Sequence, residues 1–230
     1  MFDHKHHQLI HLVLNSLDSK IFRESGAYFG GGTLISLLNG EFRWSKDIDF
    51  ICPVGSGYKE LRSLIFQSAH NPSALFSSTD GLEFPRDLTA SQYGIRFLVM
   101  ANGTPIKFEI VAEGRITLKE PEYFNWPGLP CLCFEDQCTE KLLANSDRWI
   151  DSSIESRDLI DLAILRLRCK FSDTAIHKAE EVQPVIEPLS RAIKQFLEKD
   201  QYRDKCFRML EIQNIQRVMD GINLLADDFK

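Results

Sequence analysis

Between Tyr28 and Phe50 the chain reads YFGGGTLISLLNGEFRWSKDIDF: three consecutive glycines and, thirteen residues beyond Gly32-Thr33, two aspartates one residue apart. Side chains alternate along a strand, so Asp47 and Asp49 are expected on one face while Ile48 and Phe50 turn to the core. Carboxylates held that close repel unless a cation joins them, and their hard oxygens suit a divalent ion such as Mg2+. A later stretch, PIKFEIVA, alternates in the same way, with Lys107 and Glu109 on one side and Phe108 and Ile110 on the other. If that strand lies beside DIDF, Glu109 becomes a third carboxylate. Three carboxylates around two Mg2+ ions suit in-line phosphoryl or nucleotidyl transfer, one ion activating the attacking oxygen and the other bridging the phosphates of an NTP.

The glycine turn fits the same chemistry. Gly31 and Gly32 can bring backbone N–H groups close to phosphate oxygens, and Thr33 opens a helix whose positive end points the same way. An isolated Asp-x-Asp is commonly a strand edge, and an isolated glycine triplet is commonly only a turn. The ordered set is what points to catalysis.

The elements that must position these residues are legible from periodicity. Apolar positions recur at helical spacing from His6 to Arg23, and a short strand at 27–29 runs into the glycines. A helix is expected from Thr33 to Leu38, a buried strand from Asp47 to Cys52 stopped by Pro53, and a helix from Tyr58 to Ala69. Asn102-Gly103 between YGIRFLVMA and PIKFEIVA marks a hairpin. Beyond the proline-rich connection Pro121 to Pro130, helices are expected at Asp136 to Asn145, Ile154 to Lys170 and over most of Val182 to Ala226. The expected fold class is α+β, a mixed sheet flanked by helices and followed by a C-terminal helical lobe. The division is drawn near 135, giving a core of residues 1–135 with its N-terminal helix and a lobe of residues 136–230 that completes the active-site cleft.

Composition narrows the classes. No apolar run approaches the roughly 20 residues of a membrane helix, and the polar start MFDHKHHQ is unlike a signal peptide. Six dispersed cysteines suit a reducing compartment, so a cytoplasmic location without membrane association is expected. A net charge of −6 argues against a surface coated with basic residues, while leaving room for a local basic groove. His4, His7 and His11 read as a solvated helix face, and Cys131, Cys133 and Cys138 as thiols without a fourth zinc ligand. Arg166, Arg168 and Lys170 read either as a basic strip toward RNA or, more ordinarily, as another solvated helix face.

The order Gly32-Thr33, thirteen residues, Asp47-Ile48-Asp49, then Glu109 resembles the signature of the DNA polymerase β-like nucleotidyltransferase superfamily. With EKLLAN (Glu140 to Asn145) and SRDLIDLAIL (Ser156 to Leu165), the chain from Tyr28 to Leu165 is similar to the AbiEii/AbiGii toxin nucleotidyltransferases. It departs from the superfamily pattern at Thr33, where serine is usual, and at Glu109, where aspartate is usual. The resemblance implies Mg2+-dependent transfer of an NMP from an NTP to an acceptor, with a toxin-like or phage-defence role. By analogy the acceptor is the tRNA 3′ end or another RNA, and a cognate antitoxin is a partner. The resemblance also brings Lys141 and the nucleotide-binding aspartates Asp158 and Asp161 into the active site.

On residue chemistry alone, Lys141 is a mobile point charge able to reach a triphosphate, with little packing of its own. Asp158 and Asp161, at i and i+3 on an apolar helix, either join that site or pair with Arg157 and Arg166. Two other functions share these features: a noncatalytic nucleotide-binding or antitoxin-like module, and a small-molecule nucleotidyltransferase of the antibiotic-modifying kind.

Overall fold

A computed structural model describes residues 2–85 and 88–229. The chain forms two units, one of residues 1–34 and 46–133 and the other of residues 35–45 and 134–230. The single boundary drawn near 135 from sequence therefore has a second component, because residues 35–45 pack with the helical unit.

The first unit opens with α1 (Lys5–Ser16) and α2 (Ser19–Ser25). The single N-terminal helix expected from periodicity is thus two. Leu17 is extended, and the Asp18 carboxylate accepts the Lys20 N–H to start α2 afresh. The strands are β1 (Tyr28–Gly30), β2 (Ile48–Pro53), β3 (Leu82–Glu83), β4 (Thr89–Ala90), β5 (Gly94–Ala101) and β6 (Thr104–Glu113). Helices α3 (Gly31–Leu38) and α4 (Ser56–Gln67) interrupt them, α3 starting at Gly31, two residues earlier than its expected start at Thr33. The sheet order is β1-β2-β6-β5-β3, with β4 also on β5. It is mixed: β2 and β6 run parallel, while β1 pairs antiparallel with β2 and β5 with β6. Asn102 and Gly103 both adopt positive φ (46° and 79°), the conformation a two-residue hairpin turn demands.

One sheet face is an aromatic core. Phe50 lies 4.4 Å from Phe22, 5.5 Å from Phe29 and 5.4 Å from Phe108, which in turn stacks on Phe97 at 4.7 Å. Burial of each such side chain contributes about 2–3 kcal/mol. Phe50 and Phe108 therefore fix the faces of β2 and β6, and the period-2 alternation sends Asp49 and Glu109 to the other face.

The second unit is helical: α5 (Phe134–Arg148), α6 (Arg157–Arg168), α7 (Asp173–Glu180), α8 (Ile186–Glu198), α9 (Asp200–Met209) and α10 (Ile215–Asp228). Helix α7 lies in a stretch where no helix was expected. Ser172 caps it by accepting the Ala175 N–H, and Thr139 of α5 donates to the Ala175 carbonyl at 3.1 Å. Gly221 lets α10 approach α6 closely, since a Cβ there would run into the Ala163 carbonyl. Residues 35–45 join this unit through long-range bonds: Trp44 N–H to the Leu210 carbonyl at 2.9 Å, and Arg217 Nη1 to the Asn39 carbonyl at 2.8 Å.

Among the described residues no helix is long and apolar enough to cross a membrane.

Candidate functional site

In the first unit, parallel pairing of β2 with β6 sets Asp49 beside Glu109, meeting the condition that the two strands be neighbours. Strand β2 begins at Ile48, so Asp47 occupies the segment leading into it and only Asp49 has strand geometry. Asp47 is held there by its backbone, since Thr33 Oγ1 donates to its carbonyl at 2.5 Å. Thr33 is buried at 1% exposure, and its hydroxyl holds the Asp47 carbonyl.

Gly31 explains one of the three glycines. Its φ is +67°, and a Cβ there would come within 2.5 Å of Asp49 Oδ2. Any other residue would be strained and would push the carboxylate aside. The first turn of α3 thus lies directly against Asp49.

Glu109 is not an isolated acid. Arg96 Nε donates to its Oε1 at 2.5 Å, and Lys107 Nζ lies 2.8 Å from Oε2. Burial opposes ionisation of Glu109, but Lys107 and Arg96 outweigh it and hold the carboxyl below its usual range. Lys107 loses some basicity to burial and regains more from Glu109, Asp47 and Asp49, so its ammonium sits in the field of all three acids. Neither basic partner was assigned a role from sequence, although counting outward from the Asn102-Gly103 turn pairs Arg96 with Glu109.

Among the described residues no group of three or more His, Cys, Asp or Glu is arranged to hold a metal ion. The donor chemistry fits a different arrangement. Mg2+ commonly takes one or two carboxylates and completes its shell with water and substrate phosphate. Asp47 and Asp49 supply such oxygens, and Gly31 leaves the space beside Asp49 that a Cβ would fill. Glu109 is engaged by Arg96 and Lys107.

The second unit holds a buried ionic chain. Lys141 of α5, 6% exposed, places Nζ 2.8 Å from Asp158 Oδ1 and 2.7 Å from Asp161 Oδ2. Arg148 grips Asp158 with two bonds of 2.6 and 2.9 Å, and Arg43 grips Asp161 with two of 2.7 and 2.9 Å. Three cations thus enclose two carboxylates. Burial alone would raise the Asp158 pKa, yet Lys141 and Arg148 together hold it well below the carboxylate range.

This geometry corrects two expectations. Lys141 is a fixed, buried crosslink and not a mobile charge. The aspartates pair with Lys141, Arg148 and Arg43, whereas Arg166 bonds Asp228 at 2.5 Å. Arg43, which is buried, and Arg148, which is half-buried, escaped the sequence reading because nothing local marks which arginines will meet Asp158 and Asp161.

A family model described as "Nucleotidyl transferase AbiEii toxin, Type IV TA system" matches residues 13–217. The chain belongs to the AbiEii family. This AbiEii chain is also similar in fold to two solved Helicobacter pylori proteins. One is described as a candidate nucleotidyltransferase, 17% identical over 96% of this chain and 90% of that one, with a TM-score of 0.56. The other is JHP933, 16% identical over 99% of this chain and 91% of that one, also with a TM-score of 0.56. At those identities the likeness concerns the fold. No curated protein matches the chain.

Proposed function

We propose that this AbiEii-family chain is a Mg2+-dependent nucleotidyltransferase that moves an NMP from an NTP to a hydroxyl of an RNA acceptor and releases pyrophosphate. The observation that carries the reading is the pairing of Asp49 with Glu109 across β2 and β6, against the first turn of α3. Asp47 and Asp49 would hold Mg2+, which when bound neutralises triphosphate charge and polarises the reacting oxygens. Gly31 and Gly32 offer backbone N–H groups to phosphate at the positive end of α3.

Glu109, kept ionised by Arg96 and Lys107, offers a carboxylate oxygen to take up the acceptor hydroxyl proton. The acceptor oxygen forms a bond to the α-phosphorus as the bond from that phosphorus to the pyrophosphate oxygen breaks. The hydroxyl proton leaves through a site carboxylate to water. Lys141, Asp158 and Asp161 act by holding α5, α6 and Arg43 in one arrangement. The tRNA 3′ end as acceptor and growth arrest or phage defence as role rest on the family analogy alone. The type IV toxin–antitoxin description of the family supports a cognate antitoxin as partner.

The test is incubation with each α-labelled NTP and bulk tRNA, the protein itself or small hydroxylated acceptors, with Mg2+ and with EDTA. Label on RNA in Mg2+ and none in EDTA is expected. Label only on small acceptors would favour the antibiotic-modifying reading, to which the net charge of −6 lends weight. No transfer to any acceptor would leave a noncatalytic nucleotide-binding or antitoxin-like module.

A further inference from the structure

The carboxylate site does not use the outer face of α4. Tyr58, Leu61 and Ile65 bury the inner face, and the opposite face carries Lys59, Arg62, Ser63 and Phe66, all exposed. Phe66 is 71% exposed, which is far from the usual fate of a phenylalanine. Just past the helix, Ala69 and His70 both adopt positive φ (55° and 62°), an uncommon conformation for two successive residues with side chains. The turn sets the His70 ring edge-on to Phe66, with centroids 5.5 Å apart.

Lys59, Arg62, Phe66, Gln67 and His70, with Ala90 of β4, line a cavity of about 400 Å3. Among the described residues no carboxylate lines it, although the chain as a whole is acidic. Among the described residues none of Lys59, Arg62 and His70 is ion-paired with an acid, whereas Arg43, Arg96, Arg148 and Arg166 all are.

We infer that this face of α4 binds single-stranded RNA, one base stacking on Phe66 with His70 at its edge and neighbouring phosphates meeting Lys59 and Arg62. An exposed aromatic ring flanked by unpaired cations is the chemistry that holds unstacked bases and their backbone. Helical spacing sets Lys59, Arg62 and Phe66 along a single face, as a strand running over α4 requires. The RNA-binding face rests on, and deepens, the reading of an RNA acceptor. Its test measures binding and not transfer, so that the two can fail separately.

The experiment is fluorescence anisotropy of a labelled single-stranded RNA of roughly twelve nucleotides, in EDTA, across a salt series. Phe66→Ala is expected to weaken binding on the order of tenfold, the loss of one stacked base. Lys59→Ala with Arg62→Ala is expected to flatten the log–log salt slope by about 1.4, or about 0.7 for each phosphate no longer neutralised. All three side chains are exposed, so melting temperatures should match the parent. Failure of the parent to bind at low salt would overturn the inference, as would unchanged affinity in Phe66→Ala with an unchanged slope in the double variant. Unchanged RNA binding with lost antitoxin binding would make this face a protein-docking surface instead.

Discussion

Lys141→Ala should unfold the protein more readily before it says anything about nucleotides. The ammonium touches two carboxylates, at 2.8 and 2.7 Å, from a side chain 8% exposed. Removing one member of a buried ionic group typically costs about 3–5 kcal/mol, because the remaining charges lose a partner that water cannot replace. Asp158 keeps Arg148 and Asp161 keeps Arg43, each through two bonds, so the lower figure of about 3 kcal/mol applies. For a chain of this size that corresponds to a fall in Tm of roughly 6–12 °C at neutral pH. The pH dependence provides a second readout. Asp158 is depressed in the folded state, so its contribution is fully present above the unfolded value of about 4 and is lost as pH falls through the folded one. Lys141 supplies part of that depression, so the gap in Tm between parent and variant should narrow on acidification. Thermal melts followed by circular dichroism from neutral pH downward measure both effects. A variant that melts within about 1 °C of the parent at neutral pH would refute a buried crosslink and restore a mobile lysine.

Two further outcomes follow from the carboxylate site. Gly31→Ala should cost about 1–3 kcal/mol from its left-handed φ and should also abolish nucleotidyl transfer by displacing Asp49; a melt and a labelled-NTP assay on the same sample check the two parts, and wild-type transfer would show that Asp49 is not needed where it lies. Asp49→Asn should lose most of the stabilisation that excess Mg2+ gives the parent, about 1.4 kcal/mol at ten times the dissociation constant. Melts of both proteins in EDTA and in Mg2+ measure this, and an equal response to the ion would remove Asp49 as a ligand.

Local alternation and turn chemistry determined much of the first unit. Asn102-Gly103 admits one short hairpin, and its register carries Glu109 opposite Arg96. The same period of two in DIDF and KFEI sends the phenylalanines to the core and Asp49 and Glu109 to the other face, whichever strands pair. The break at Leu17-Asp18 was hidden because apolar residues recur on both sides of it and at Leu17 itself. The state of Lys141 was not in the sequence at all. A lysine on a helix next to polar residues looks solvated, and only the arrival of Arg43, 118 residues from Asp161, turns its surroundings into a closed ionic chain. Periodicity reports which face of an element is apolar. Which charges meet inside a fold depends on long-range packing, where a desolvated ion is stable only if every partner is in place.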